Sequence, residues 1–386
     1  MLLLKKLTGL FLCLLLLSLL PLSASALPYS KTKDVSLVTP QLSAKSAVLI
    51  DASSKSIICE KDAHTRRAMA STTKIMTALV AAENAELDRV VSVNAGAVGV
   101  EGSSVYLYAG EKLTLYELLC AMLLESANDA AAAIAFEVGG SIEGFCDLMN
   151  EKAKELGLSD THFTNPHGLF DEEHYTTAYE LALISAAALE NEEIRNIVST
   201  KKMTIGREDT MQRVLYNHNK MLSMYEGAIG VKTGFTKKSG RCLVSAAERD
   251  GLTLIAVTIS APDDWNDHKM LLDFGFLSFE RTTLAKKGEL CYMLALMGGK
   301  ESHTALVFAD TLSLTLEKGA SERVTCVIET FTRYEFAPLP KGKRLGVAYF
   351  YLDGEKIASA ELVSASEIKR MPEENGLFKK LKNILK

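Results

Sequence analysis

The 386-residue chain contains no Cys-x-x-Cys pair, no internal repeat and no low-complexity tract. The absence of closely paired cysteines argues against a zinc ribbon or a thioredoxin-type redox site. The formal net charge is −5, and this balance gives no sign of the clustered cations that bind a phosphate backbone. The sequence therefore predicts no nucleic-acid partner. Its 48% hydrophobic and 24% charged residues are typical of a globular protein with a sizeable core.

The N-terminus has the pattern of an export signal. Lys5 and Lys6 precede an apolar run over residues 7–20, and residues 23–26 end in an A-x-A cleavage pattern. The run is short for a membrane span. We therefore predict a cleaved signal peptide over residues 1–26, with an uncleaved anchor as the alternative. The mature protein is then exported, to the outer face of the cytoplasmic membrane or to the cell wall or periplasm.

The cysteines beyond this segment are predicted to be mostly structural. An even number remains once Cys13 leaves with the signal, and an exported protein can form disulfides. Cys120, Cys146 and Cys242 nevertheless lie in apolar helix-like or strand-like stretches, where a buried free thiol is the favoured state. The sequence specifies no pairing.

Hydrophobic periodicity divides the rest of the chain into a mixed part and a β-rich part. Strands are predicted around residues 46–60, helices between residue 70 and residue 189, and an antiparallel sheet after residue 201. Helix starts are marked by two capping boxes, Thr114-x-x-Glu117 and Thr177-x-x-Glu180. Helices are predicted over residues 118–124, 128–138, 141–156 and 270–279. Strands are predicted over residues 243–247 and 252–260, joined by a hairpin turn at Asp250-Gly251.

This arrangement of helices on a sheet predicts an α/β or α+β domain, and the remainder predicts a second fold. From about residue 283 only short β-like runs occur, which predicts a small all-β domain. The last residues, 376–386, place apolar side chains on one helical face with lysines around the rest. This pattern fits a shallow helix at the membrane surface, and it also fits a terminal helix packed on the β domain.

Ser71 and Lys74 form the first chemical motif. Side chains three residues apart share a face at the start of a helix, so the amine can take the proton of the hydroxyl if it is neutral. Burial and neighbouring positive charge favour the neutral amine. The helix N-terminus also offers backbone N–H groups to an oxyanion. Alone, the pattern also fits a capped helix with a solvent-exposed lysine.

Ser126 and Asn128 form the second motif, on a tight loop between two apolar helices. The hydroxyl can relay a proton to a leaving amine, and the amide can hold a substrate carbonyl or orient Lys74. Ser and Asn are also ordinary loop and N-cap residues, so this motif too has a purely structural interpretation.

Lys232, Thr233 and Gly234 form the third motif, on a predicted strand. The lysine supplies positive charge and the threonine a hydroxyl, while the glycine leaves room for substrate along the strand edge. The backbone N–H of Phe235 is expected to complete an oxyanion hole with that of Ser71. A plain hairpin start explains this string alone, but not all three strings in one order on an exported chain.

With these motifs the chain resembles the serine D-alanyl-D-alanine carboxypeptidases, low-molecular-mass penicillin-binding proteins of peptidase family S11. The resemblance covers nearly the whole mature chain. It rests on the motifs above with their flanks, on the strand Cys242-Leu243-Val244 leading to Arg249-Asp250-Gly251, and on the string Asn165-Pro166-His167-Gly168-Leu169. It implies a β-lactamase/transpeptidase-like catalytic domain, with a central antiparallel sheet flanked by helices, over residues 27–282. A β-rich domain over residues 283–375 and an amphipathic tail over 376–386 would follow.

The resemblance also implies the reaction and its participants. Ser71 would be acylated by the D-Ala-D-Ala end of a peptidoglycan stem peptide, the terminal D-Ala would leave, and water would release the acyl-enzyme. Lys74 would be the base, Ser126 would serve proton transfer, and Asn128 would position groups. Lys232 and Thr233 would bind the terminal carboxylate, next to Gly234 and Phe235. β-Lactams would acylate the same serine, the tail would contact the membrane surface, and no cofactor or metal is implied.

Two departures from the family pattern stand in the substrate cleft. Phe235 replaces a histidine found in some relatives, which changes the wall of the cleft and keeps the backbone donor. Residues 261–266 lack the arginine that some members present to the substrate carboxylate. This segment is therefore not expected to supply an arginine contact to that carboxylate.

Other functions also fit parts of this sequence. An endopeptidase of the same superfamily, which cuts peptide cross-links, shares the catalytic strings. A class A β-lactamase would need a glutamate in an E-x-x-L-N context, which is not found after Ser126. A zinc peptidase using His162, His167, His174 and Asp171 is a further alternative, as is a non-catalytic wall-binding protein.

Overall fold

The computed structural model describes residues 39–206 and 211–371. The predicted signal peptide (1–26) and the predicted amphipathic tail (376–386) lie outside the described residues. Within the described ranges, no helix has the length and apolar character needed to cross a membrane.

The helices and strands follow the predicted division of the chain. The α-helices of the described ranges are α1 Lys74–Asn84, α2 Leu115–Leu124, α3 Asn128–Gly139, α4 Ile142–Glu155, α5 Ala178–Glu190, α6 Glu192–Ser199, α7 Met221–Met224 and α8 Asp264–Ser278. Short 3₁₀ helices cover Ala70–Thr73, Ala95–Ala97 and Ala320–Arg323. The strands are β1 Ser46–Asp51, β2 Ile57–Lys61, β3 Val90–Ser92, β4 Lys112–Thr114, β5 Lys202–Ile205, β6 Arg213–Tyr216, β7 Ala228–Thr236, β8 Gly240–Arg249, β9 Leu252–Ile259, β10 Phe279–Ala285, β11 Leu290–Met297, β12 His303–Phe308, β13 Leu312–Glu317, β14 Val324–Thr330, β15 Tyr334–Phe336, β16 Arg344–Leu352 and β17 Glu355–Ser364.

A central antiparallel sheet with the order β2-β1-β9-β8-β7 is covered by helices on both faces. Strand β1 shows why: Val48 and Ile50 belong to a core shared with α1 to α6, whereas Ala47 and Leu49 belong to a core shared with α8. Alternate side chains point to opposite faces of a strand, so a strand that is apolar throughout is buried from both sides. This confirms the predicted fold class of the first part of the chain.

Local signals located most of these elements correctly. Thr114 and Glu117 form the predicted capping box at the start of α2. Asp250 and Gly251 have φ of 49° and 76°, the left-handed backbone that a tight hairpin between right-twisted strands requires. Helix α8 begins at Asp264, earlier than the predicted residue 270, because its first turn is polar and lies outside the apolar run.

The second predicted capping box is only half formed, which corrects the sequence analysis. Thr177 caps α5 by accepting the N–H of Glu180. The Glu180 carboxylate instead accepts the backbone N–H groups of Ser159 and Asp160 and the hydroxyl of Thr161. The glutamate thus ties the preceding loop to the helix instead of closing the cap.

The cysteines named in the sequence analysis behave as predicted. Cys120, Cys146 and Cys242 are buried and free. Burial raises the pKa of the first two thiols to about 12 and that of Cys242 to about 11. These thiols are therefore protonated structural groups.

The chain after α8 forms the expected all-β part, with more strands than the sequence indicated. A six-stranded sheet has the order β14-β16-β17-β12-β11-β15, and β10 pairs with β13. Its own core includes Leu294, Leu306 and Phe350. Thr315 donates a hydrogen bond of 2.9 Å to the buried carboxylate of Asp51 at the end of β1, so a contact joins this part to the central sheet.

Candidate active site

Ser71 lies in a tight turn directly before α1. It belongs to the 3₁₀ helix Ala70–Thr73, and Ala70 has a φ of +49°, a strained value for a residue other than glycine. The Thr73 hydroxyl donates to the carbonyl oxygen of Ala70 at 2.8 Å, which holds the strained residue. Gly168 packs against the same carbonyl so closely that a Cβ there would lie 1.9 Å from the oxygen. A hydrogen bond within the turn and the close approach of Gly168 from another segment therefore fix the position of Ser71.

The Lys74 amine is fully buried and lies between three oxygen atoms. Its Nζ is 3.0 Å from Ser71 Oγ, 2.7 Å from Asn128 Oδ1 and 2.7 Å from the carbonyl oxygen of His167. The amide and carbonyl oxygens can only accept, so they engage both N–H bonds of a neutral amine and leave its lone pair for the Ser71 hydroxyl. Burial, and then the charge of Lys232, hold the pKa of Lys74 well below its usual value.

The second motif brings Ser126 and Asn128 to the same place. Asn128 is the first residue of α3, and its amide bridges the Lys74 amine and the carbonyl oxygen of Glu101. Ser126 is buried with a φ of +61°, and it lines a cavity together with Ser71. Backbone strain at Ser126 and at Ala70, the residue before Ser71, is the kind of feature that concentrates at functional sites.

The third motif closes the site from the edge of the central sheet. A Cβ on Gly234 would lie 3.0 Å from the backbone nitrogen of Ser71. Strand β7 therefore passes directly against the 3₁₀ turn Ala70–Thr73, which we call the nucleophile turn. Lys232 is 1% exposed, and its Nζ donates to the carbonyl oxygen of Thr233 at 3.0 Å. Burial lowers the pKa of Lys232 to about 7. Thr233 and the 66% exposed Phe235 face the cleft.

An open cavity of about 360 Å³ connects these groups. Its lining combines hydroxyls, an exposed ring, a guanidinium and a carboxylate: Ser71, Ser103, Ser126, His218, Thr233, Gly234, Phe235, Arg241, Asp264 and Trp265. Ser71, Ser126, Thr233, Gly234 and Phe235 of the predicted site residues thus line one cleft. The other three, Lys74, Asn128 and Lys232, lie buried and are not part of its lining.

His174 stabilises the nucleophile turn through a contact with Thr73. Its Nδ1 accepts the backbone N–H of Thr164 at 3.1 Å, and its Nε2 lies 2.8 Å from the Thr73 hydroxyl. Burial lowers the pKa of His174 to about 4, so the ring is neutral and the proton belongs on Nε2. His174 therefore donates to Thr73, and Thr73 in turn donates to Ala70.

The three histidines considered for a zinc site each make a different hydrogen-bond contact. His162 Nδ1 contacts the carbonyl oxygen of Glu173, His174 bonds to Thr73, and the His167 ring accepts the N–H of Leu169. Burial lowers the pKa of His167 to about 3, which leaves a neutral ring beside Lys74. Across residues 39–206 and 211–371, no group of three or more His, Cys, Asp or Glu side chains is arranged to hold a metal ion.

Comparison with known proteins agrees with this geometry. Residues 33–263 match the family described as D-alanyl-D-alanine carboxypeptidase, peptidase family S11. The chain belongs to this family. Residues 279–370 match the C-terminal domain of penicillin-binding protein 5. The predicted family and enzyme class, a serine-type D-Ala-D-Ala carboxypeptidase, are confirmed.

Several similar proteins cover most of the chain. D-alanyl-D-alanine carboxypeptidase DacF of Bacillus subtilis is 33% identical over 338 residues, 85% of this chain and 86% of the relative. DacC of Escherichia coli is 30% identical over 91% of this chain and 90% of its own length. The structure of penicillin binding protein 5 from Haemophilus influenzae has a TM-score of 0.71 and 28% identity, and covers 86% of this chain and 99% of the other. The Streptomyces K15 DD-transpeptidase has a TM-score of 0.59 and 32% identity over 62% of this chain and 98% of the other.

Several groups that the structure places at the site are not among the predicted site residues. The His167 carbonyl, Thr73 and His174 have no catalytic pattern, because they act through buried hydrogen bonds between distant segments. The position of Arg241 at the cleft could have been inferred from a hairpin after the third motif. The hairpin joining strands β7 and β8 places it directly opposite Phe235.

Proposed function

We propose that this protein removes the terminal D-alanine from peptidoglycan stem pentapeptides through an acyl-enzyme on Ser71. The observation that carries the assignment is the Lys74 amine, which is buried, held by two carbonyl acceptors and 3.0 Å from Ser71 Oγ. A lysine in this environment can be a neutral general base at physiological pH.

Acylation follows from the arrangement of these groups. The Lys74 amine takes the proton of Ser71 as Oγ forms a bond to the carbonyl carbon of the penultimate D-Ala. The resulting oxyanion is stabilised by the backbone N–H groups of Ser71 and Phe235, where β7 crosses the nucleophile turn. When the peptide C–N bond breaks, the proton passes from Lys74 through the Ser126 hydroxyl to the amine of the leaving D-Ala.

Deacylation uses the same groups in reverse. A water molecule gives a proton to Lys74 and attacks the ester carbonyl of the acyl-enzyme. The C–O bond to Ser71 then breaks, and Oγ recovers a proton from Lys74. Asn128 keeps the amine in place throughout because it holds one of its N–H bonds.

Substrate binding is assigned to β7. The Thr233 hydroxyl meets the terminal carboxylate, and the buried Lys232 contributes positive charge from beneath the cleft. Gly234 leaves room for the peptide along the strand edge. β-Lactams, whose ring amide resembles the scissile bond, acylate Ser71 in the same way and inhibit the enzyme.

The surroundings of this site complete the proposal. Residues 27–282 form the catalytic domain, residues 283–375 the β-rich domain, and residues 376–386 a tail that contacts the membrane surface. An exported protein cleaved after residue 26 would meet its substrate at the outer face of the cytoplasmic membrane, or in the cell wall or periplasm.

Labelling with a reporter penicillin and mapping of the adduct test the nucleophile. The adduct is expected on Ser71 and is expected to be absent from Ser71→Ala. Release of D-Ala from a pentapeptide, compared with cleavage of a cross-linked peptide dimer, separates a carboxypeptidase from an endopeptidase. An adduct elsewhere, or no release of D-Ala by a protein that labels, would contradict the proposed function.

A further inference from the structure

Strand β8 and the start of α8 form the wall of the cleft beyond Thr233. Arg241 lies directly opposite Phe235 in the antiparallel pairing of β7 and β8, and Leu243 lies opposite Thr233. Paired residues of antiparallel strands share a face, and their diagonal neighbours are within reach of a long side chain. Arg241 therefore projects from the same face of the sheet as Thr233, and both residues line the cavity that holds Ser71.

The first turn of α8 holds the Arg241 guanidinium in this position. One of its nitrogens is 3.0 Å from Asp264 Oδ1, and the guanidinium carbon lies 5.9 Å from the centre of the Trp265 ring. The Asp264 carboxylate is 4% exposed and also accepts the N–H of Trp265, whereas the Arg241 side chain is 44% exposed. A buried acid thus orients an exposed cation. A guanidinium has five N–H donors, so further donors remain for a ligand in the cleft.

Lys232 is poorly placed to contact a carboxylate directly. It is 1% exposed, its Nζ donates to the Thr233 carbonyl, and burial lowers its pKa to about 7. Residues 261–266 carry no arginine; this segment leads into α8 and contributes Asp264 and Trp265 to the cleft. A guanidinium stays protonated at any pH of interest and matches a carboxylate with two parallel N–H bonds.

We propose that Arg241 is the residue that recognises the terminal carboxylate of the substrate, together with the Thr233 hydroxyl. The cation comes from the strand next to β7 instead of from the segment before α8. Asp264 and Trp265 are positioning residues for its guanidinium. The exposed Phe235, directly opposite Arg241, forms an apolar wall that shields the ion pair from water. The inference rests on the proposed function and names the specificity group of that same site.

Two peptides ending in D-Ala-D-Ala test it, one with a free terminal carboxylate and one with that group converted to a methylamide. For Arg241→Gln, kcat/KM for the carboxylate peptide is expected to fall by about 10- to 100-fold, the range for loss of charge-assisted hydrogen bonds. The rate for the methylamide peptide is expected to change little, so the ratio of the two rates falls. Arg241→Lys keeps the positive charge but loses the planar guanidinium that donates two parallel N–H bonds, so an intermediate ratio of the two rates is expected.

Arg323 provides a matched control. It pairs with Asp353 in the β-rich part of the chain, and its side chain is 45% exposed, close to the value for Arg241. Arg323→Gln is expected to leave both rates unchanged. If Arg241→Gln lowers both rates equally, or neither, Arg241 does not recognise the carboxylate. If that variant does not fold, the ratio of Arg241→Lys decides: a wild-type ratio overturns the inference. Wild-type protein that releases no D-Ala would instead refute the proposed function.

Discussion

The contact between Asn128 and Lys74 gives the sharpest test of the mechanism. Lys74 acts as a base only when its amine is neutral, and Asn128 holds that amine with an uncharged oxygen 2.7 Å away. Asn128→Asp places a carboxylate in nearly the same volume. The negative charge stabilises the protonated amine, so we expect the base to be neutral only at higher pH.

The size of the effect follows from the distance. Two unit charges 4 Å apart attract each other by about 4 kcal/mol at an effective dielectric constant of about 20. Since about 1.4 kcal/mol corresponds to one pKa unit, the pKa of Lys74 should rise by about three units. The observed separation of 2.7 Å is shorter, so this is a conservative figure. The acid limb of the acylation rate should move to higher pH by about that amount.

Asn128→Ala is the matched control, because both variants lose the hydrogen bond from the Asn128 amide to Glu101 and only one adds a charge. We expect Asn128→Ala to slow acylation by about 10- to 100-fold, because it loses the hydrogen bonds to both Lys74 and Glu101, with the acid limb close to its wild-type position. The assay is stopped-flow acylation by a fluorescent penicillin as a function of pH. Identical acid limbs for the two variants would refute Lys74 as the base.

Three further predictions concern groups that support the site and the fold. His174→Ala should slow acylation by about tenfold, and His174→Gln should restore part of the rate because its amide can still donate toward the nucleophile turn; equal rates for both variants would contradict this. Gly168→Ala should abolish penicillin labelling, since its Cβ would lie 1.9 Å from the Ala70 carbonyl oxygen, and wild-type labelling would disprove that close approach. Burial alone would raise the pKa of Asp51, but its hydrogen bonds, of which the one from Ser54 is the largest, outweigh burial and lower the pKa. The ionised Asp51 carboxylate therefore stabilises the folded protein above the unfolded-state pKa, and this stabilisation disappears as the pH falls through the folded-state pKa. Asp51→Asn should therefore lower the free energy of unfolding by about 1–3 kcal/mol at neutral pH, and this difference, measured by urea unfolding, should shrink in acid; a constant difference would argue against the carboxylate.

The parts of the fold that the sequence predicted well depend on neighbours along the chain. The capping box of Thr114 and Glu117 spans three residues and formed as expected. Glu180 stands in the same local pattern after Thr177, yet its carboxylate bonds to residues 159–161, which lie about 20 positions earlier. A local pattern cannot show which of two partners a side chain will choose, because the choice depends on the loop that packs there.

The same limit separates the predicted and the missed parts of the site. Helical spacing places Ser71 and Lys74 on one face, and the sequence predicted that pair directly. Arg241 reaches the cleft through the register of β7 and β8, and His174 reaches the nucleophile turn through a loop that folds back over α1. Neither placement is written in a short motif. The register of the β7–β8 hairpin places Arg241, whereas the placement of His174 becomes visible only when distant segments have packed.

Packing also decides whether the Ser71–Lys74 motif can act in catalysis. A serine and a lysine three residues apart on an exposed helix would leave the lysine hydrated and protonated. Here the amine is covered by Asn128, 54 positions along the chain, and by the His167 carbonyl, 93 positions along. Each removes water and takes one N–H bond, so together they convert an ordinary lysine into one whose lone pair faces Ser71. The three strings are informative in combination because a buried, neutral Lys74 needs partners from separate segments that only this fold brings together.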